Sequence, residues 1–304
     1  MEARPSMELT DHLTTQRERV EKALTRVLSD LDSFVPQHIR PALRQGVEAG
    51  GKRIRPILLA TAYEAVTGAE CEEAVYELST SVEFIHGYSL MHDDLPCMDD
   101  GELRRGHPTT HRIHGARSTI LAGAALIPLA ALGAWKASGG LGLPGALRKE
   151  LVRTLMQAGG AAGMVGGQFL DLVAEGEALS NEALNDLHAR KTGALLTASL
   201  RMGGLAGQAA PEGLRALEDY GRRIGLAFQI ADDVLDATST AGTLGKNPSD
   251  RERGKSTYVG LHGVDGARAR GKQEVDAAIQ ALRSVGIRSG ALEELAFYIV
   301  ERDR

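Results

Sequence analysis

From Cys71 to Asp100 the chain reads CEEAVYELSTSVEFIHGYSLMHDDLPCMDD. Ala74, Leu78, Val82 and Ile85 recur at spacings of three and four, the stripe of an amphipathic helix. That stretch runs into an acidic cluster containing Asp93, Asp94, Asp99 and Asp100. On a continuous ideal helix Asp93 and Asp99, six residues apart, would point about 120° away from each other. Pro96 changes the expectation: it disfavours helix at Leu95 and has no backbone N–H, so the chain is expected to turn and bring Asp99 back towards Asp93.

The same helical periodicity recurs at Leu13 to Leu31, Arg55 to Val66, Ser118 to Trp135, Lys149 to Val173, Asn181 to Arg201, Leu214 to Leu235 and Gln273 to Leu282. No alternating strand pattern of comparable length competes, so the expected class is all-α. Breaks fall where Gly and Pro cluster, at Ser138 to Gly145 and Gly203 to Gly213, and Ser180 before Asn181 has the character of a helix cap. These are short connections rather than linkers, and the expectation is one domain over residues 1–304, of which about 1–12 can be flexible. The 36 glycines are many for a helical chain. Those between Gly159 and Gly167 permit either close helix approach or a flexible loop.

Composition removes several classes of function. A net charge of -5 and 4% aromatic residues argue against nucleic acid as a partner. The uncharged run Ile120 to Trp135 is shorter than a bilayer span and contains Pro128, so a buried core helix is expected there rather than a membrane segment. Met1 to His12 carries four charged residues and does not read as a secretory signal. Cys71 and Cys97 fit neither a zinc spacing nor a disulfide framework; both are expected to be small buried residues, in a cytoplasmic protein.

A second acidic cluster, Gln229-Ile230-Ala231-Asp232-Asp233-Val234-Leu235-Asp236, also ends an apolar helical stretch. Asp232 and Asp236 are four apart, share one helical face and repel unless a cation lies between them. Oxygen ligands gathered without His or Cys suit magnesium, which binds through one or two carboxylates plus substrate phosphates. The implied substrate is a diphosphate. Cations accompany the acids: Arg104 and Arg105 follow the first cluster, Lys246 and Lys255 the second, while Lys52, Arg53 and Arg55 form a third group and Lys191 with Thr192 a fourth. Taken singly, an acidic pair is usually a solvated helix end and an Arg-Arg step is usually surface. Their joint occurrence favours chemistry.

In order along the chain, Gly-Gly-Lys-Arg-Ile-Arg-Pro (50–56), Asp-Asp-Leu-Pro-Cys-Met-Asp (93–99) with Leu-Arg-Arg-Gly after it, Gly-Gly-Gln-Phe-Leu-Asp-Leu (166–172), Lys-Thr-Gly (191–193) and Gln-Ile-Ala-Asp-Asp-Val-Leu-Asp (229–236) resemble the trans-prenyltransferases, or polyprenyl synthetases, and most closely the bacterial farnesyl diphosphate synthases. The resemblance implies an all-α bundle around a deep cavity, usually as a homodimer. It implies that Asp93, Asp99 and Asp232, assisted by Asp94 and Asp236, ligate three Mg2+ ions that grip an allylic diphosphate. Arg104, Lys191 and Lys255 would bind that diphosphate, with Lys246 on the basic rim and Thr192 and Gln229 beside the developing cation. Lys52, Arg55, His86 and Arg105 would hold isopentenyl diphosphate.

The resemblance also implies that Tyr88 and Ser89 limit product length, giving farnesyl rather than geranylgeranyl diphosphate. On an ideal helix Ser89 lies near the face of Asp93, whereas Tyr88 is about 140° away, so periodicity does not place its ring in a cavity. Two departures from the family pattern, Gly123-Ala124-Ala125 and the stretch Asn247 to Gly254, leave the metal ligands in place. A terpene cyclase would not need the second diphosphate pocket, and a silent regulatory subunit would not need intact aspartate clusters.

Overall fold

A computed structural model describes residues 7–238 and 256–301. Helix α1 (Met7–Leu31) leads into α2 (Arg40–Glu48), α3 (Ile54–Thr67) and α4 (Glu73–Asp93). A two-residue hairpin follows, β1 (Leu103–Arg104) against β2 (His107–Pro108), then α5 (Thr110–His114), α6 (Ala116–Gly140), α7 (Gly145–Gly159) and α8 (Met164–Val173). Next come α9 (Asn181–His188), a π-helical turn (Ala189–Gly193), α10 (Ala194–Ala206) and α11 (Pro211–Thr238), and beyond the undescribed stretch α12 (Tyr258–Ser284) and α13 (Gly290–Glu301). The all-α expectation holds. Ser180 does cap α9, its side chain accepting the N–H of Ala183.

Helix α4 is the axis, and it corrects the amphipathic reading of Cys71 to Met91. Leu78, Val82 and Ile85 are buried, but so are Val75, Tyr76 and Phe84 on the other sides. The polar residues between them do not mark a solvent face. Ser79, Thr80 and Ser81 fold their hydroxyls onto the carbonyls of Tyr76, Glu77 and Leu78 at 2.7, 2.7 and 2.6 Å, so each enters the core already hydrogen-bonded.

Helix α6 corrects a second expectation. It buries a stripe of Ala122, Leu126, Ala130 and Ala134, but Leu121 (53%), Leu132 (54%) and Trp135 (39%) stand exposed. It is therefore one-sided rather than a fully buried core helix. Among the described residues it is also the one helix long and apolar enough to cross a membrane.

The helix predicted over Lys149 to Val173 is two helices, because Gly160 to Gly163 form a turn between α7 and α8. At Gly167 the backbone of α8 lies against the π turn, where any Cβ would stand 2.5 Å from Lys191 Cα. Close approach, not looseness, explains that glycine. Helix α1 begins at Met7, with Leu9 buried, so part of the stretch expected to be flexible is packed helix. Cys71 is buried, whereas Cys97 is exposed on the turn after Pro96, against the expectation for it.

Candidate active site

The first acidic cluster turns as its spacing requires. Helix α4 stops at Asp93, and the backbone N–H of Asp99 donates to the Asp93 carbonyl at 2.9 Å, returning Asp99 to the helix end. Asp100 follows in the left-handed region at φ 47°. Burial pushes the Asp93 carboxyl up to about 6; Lys191 and Arg104 favour its charge, while Asp99 and Asp94 oppose it. This carboxylate is short of positive charge.

Asp94 is in a different position. It is only 5% exposed, and Arg104 grips it with two parallel bonds, Nε to Oδ2 and Nη2 to Oδ1, both at 2.7 Å. The structure thus ties together two residues to which the sequence assigned separate contacts. Lys191, carried by the π turn, makes a 2.5 Å ion pair with Asp171 on α8, a partner that the sequence reading did not single out.

A second group of cations gathers two turns back along α4, around His86. The loop before α3 is forced tight, with φ values of 75°, 125° and 53° at Gly50, Gly51 and Arg53. Non-glycine residues held in this region cost about 1 to 3 kcal/mol each and cluster at functional sites. Arg53 secures the loop through its buried guanidinium, which bonds Glu83 at 2.5 Å and Glu21 at 2.8 Å. Arg105, also left-handed, reaches back to the Gly50 carbonyl.

Arg55 Nη1 donates to His86 Nε2 at 3.2 Å, and burial drives the His86 pKa well below its ordinary value, keeping the ring neutral. Burial also lowers the pKa of Arg55 and Arg105, and Arg55 Nε has no hydrogen-bond partner. These are desolvated cations in need of an anion. Lys52 is exposed at the edge, its ammonium 5.6 Å from the Tyr298 ring of α13.

A cavity of about 350 Å³ joins the two groups. Asp93, Lys191, Thr192, Arg55, His86, Tyr88 and Ser89 all line it, together with Met98, Phe169 and Leu172. Tyr88 reaches it despite the unfavourable helical angle. Sequence reasoning assigned no role to Gln168, another lining residue, which is 9% exposed and whose amide Oε1 and Nε2 both lack hydrogen-bond partners.

Gln229, Asp232 and Asp236 lie on α11, which packs against the π turn, and all three are partly buried; none of them is among the residues lining the cavity. Asp233, beside them, is buried and accepts the backbone N–H of Tyr258 at 2.6 Å, anchoring the start of α12. Lys246 and Lys255 lie outside the described residues. Among the described residues no three acidic, His or Cys side chains converge closely enough to hold a metal unaided.

The fold defines a class: an all-α protein with a cavity where Arg55 and His86, Asp93 and Lys191, and the apolar Phe169 and Leu172 meet. The polyprenyl synthetase family model matches residues 36–289. Farnesyl diphosphate synthase of Escherichia coli (strain K12) is 39% identical, the match covering 98% of this chain and 100% of that one. Geranylgeranyl pyrophosphate synthase 9 of Arabidopsis thaliana is 39% identical, over 88% of this chain and 75% of its own. A solved geranyltransferase from Legionella pneumophila superposes with a TM-score of 0.84 at 31% identity, covering 97% and 98% of the two chains. This chain belongs to the polyprenyl synthetase family.

Proposed function

We propose that the protein is a short-chain trans-prenyl diphosphate synthase, condensing dimethylallyl and then geranyl diphosphate with isopentenyl diphosphate to give mainly farnesyl diphosphate. One observation carries the reading: a single cavity is lined at once by Asp93 and Lys191, suited to one diphosphate, and by the desolvated Arg55 beside neutral His86, suited to another. A terpene cyclase has no use for the second anion site.

Magnesium fits the residues present, since the buried Asp93 with Asp99, and Asp232 with Asp236 on α11, supply only hard oxygen ligands. When bound there with the allylic diphosphate, three Mg2+ ions would neutralise the charge that develops on the leaving group. Lys191 shares that task from the π turn, held by Asp171, and Arg104 does so with the N–H groups not spent on Asp94. Lys246 and Lys255 are assigned to the same diphosphate. Lys52, Arg55, His86 and Arg105 orient isopentenyl diphosphate so that its double bond faces the allylic carbon, beside Thr192 and Gln229. Phe169 and Leu172 supply the apolar part of the cavity lining along which the hydrocarbon chain would lie.

Tyr88, with Ser89 beside it, is the end wall that stops elongation at farnesyl. The Arabidopsis relative keeps geranylgeranyl diphosphate as the second reading of the product. Labelled isopentenyl diphosphate incubated with dimethylallyl diphosphate separates the two: a farnesyl product is expected, and Tyr88→Ala is expected to extend it by at least one unit. No condensation product at all, from folded protein with Mg2+, defeats the enzyme reading.

The exposed Leu121, Leu132 and Trp135 face of α6 supports a homodimer, and its buried alanine stripe supports a packing helix rather than a membrane span. Two free thiols, Cys71 and Cys97, support a cytoplasmic location. Residues 1–304 are read as one domain.

A further inference from the structure

His92 occupies the position between Tyr88 and the neighbouring helix, and no step above uses it. Its ring meets that of Tyr88 edge-on, with centroids 5.3 Å apart and planes at 89°. On the other side its Nε2 lies 3.2 Å from the backbone carbonyl of Ile120 on α6. A carbonyl can only accept, so Nε2 carries the proton and donates it there. Both rings line the cavity.

The space that the imidazole fills exists because residue 123 is glycine. A Cβ at Gly123 would stand 2.6 Å from His92 Cδ2 and closer still to Nε2, inside any tolerable contact. Gly123 is itself buried in the heavily packed seam between α4 and α6. The imidazole is thus fixed at three points: by its own helix, by the Ile120 carbonyl and by the bare backbone at Gly123.

We propose that His92 is a positioning residue for product length, a strut that transmits the position of α6 to the Tyr88 ring, with Gly123 setting how far the strut can retract from the cavity. The proposal rests on the reading of Tyr88 as the end wall. An aromatic ring packed on one face only can rotate about χ1 and χ2 under the pressure of a growing chain; an edge-on neighbour bonded to a second helix removes that freedom. Chain length is then decided by two rings and a glycine on α6.

The strut makes predictions of opposite sign. His92→Ala removes the support and one lining side chain, and the ratio of geranylgeranyl to farnesyl product should rise about tenfold, the scale on which small changes in apolar pocket shape discriminate substrates. Gly123→Ala drives the imidazole away from α6 and presses Tyr88 into the cavity. The ratio of released geranyl to farnesyl diphosphate should therefore rise, again about tenfold. In a Tyr88→Ala background Gly123→Ala should have no such effect, because the ring it pushes is gone.

Product distributions from isopentenyl and dimethylallyl diphosphates, with helical circular dichroism as the folding control, decide the matter. Merely structural damage would lower turnover without redistributing product. If Tyr88→Ala lengthens the product while His92→Ala and Gly123→Ala both retain the wild-type ratios, the end wall stands and the strut is overturned. Additive effects of Gly123→Ala and Tyr88→Ala overturn it as well. An unchanged product from Tyr88→Ala removes the wall and the strut with it. Should Gly123→Ala fail to fold, His92→Ala, which only deletes atoms, carries the test.

Discussion

The two walls of the cavity are charged in opposite senses and unfinished in opposite ways. Around Arg55 and Arg105, burial destabilises cations, and neutral His86 contributes no charge. Around Asp93, burial destabilises an anion, and the nearby Lys191 and Arg104 are already engaged by Asp171 and Asp94. A diphosphate can enter the first wall directly. At the second wall it would meet a buried carboxylate, so on the proposed function metal cations would act as intermediaries there and the asymmetry predicts metal dependence for one substrate and not the other.

The sharpest way to break that comparison is at Asp93. Asp93→Ala should lower turnover by on the order of 10³, as removing an electrostatic stabiliser of the transition state does, while leaving helical circular dichroism intact. Excess chelator should abolish activity in the wild type. Retained binding of isopentenyl diphosphate in chelator, measured by equilibrium dialysis, is expected if the basic wall works without metal; loss of both ligands together would erase the distinction.

Arg55→Met tests the other side. Removing a charge-assisted contact worth about 1.5 to 3 kcal/mol should raise KM for isopentenyl diphosphate by roughly 10- to 100-fold. The allylic KM should change far less. Equal losses for both substrates would show that the cations are shared. A smaller effect is expected from Asp171→Asn, which leaves Lys191 in place but unanchored: a several-fold rise in the allylic KM alone, on the scale of one ion pair.

The smallest effect is thermodynamic. The folded protein holds the Asp93 proton up to about pH 6, whereas an unperturbed carboxyl releases it near 3.8. Between those values the folded state binds more protons than the unfolded chain, so this group makes stability fall as pH rises towards 6. Asp93→Asn should flatten that part of the Tm profile by a few degrees at most. In the wild type, Mg2+ together with diphosphate should bind with proton release below about pH 6. An unchanged profile in Asp93→Asn would place the carboxylate in a less buried setting.

Much of the site is legible in sequence because its determinants are local. Asp93, Pro96 and Asp99 specify their own turn, and Ser180 specifies its own cap. What escaped depends on contacts between distant segments. Asp171 and Gln168 fall inside the motif at 166–172, but what each does shows only when α8 lies against the π turn. The all-round burial of α4 was hidden because Ser79, Thr80 and Ser81 look like solvent positions until their hydroxyls are seen bonded to the helix itself. For α6 the error ran the other way: apolarity was read as burial, although an apolar face can equally await a partner.

The π turn at Ala189–Gly193 is where Lys191 and Thr192 are carried. A π turn holds one residue more than the α-helix around it, and such turns are found disproportionately at functional sites. Deleting Ala189 should therefore restore an unbroken α-helix of ordinary pitch. Because the bulge absorbs its extra residue without turning α9 against α10, the deletion would chiefly displace the turn itself, and with it Lys191 and Thr192 from the cavity they line. The protein would gain a regular helix and lose its place in the reaction, a one-codon change for which no side chain is to blame.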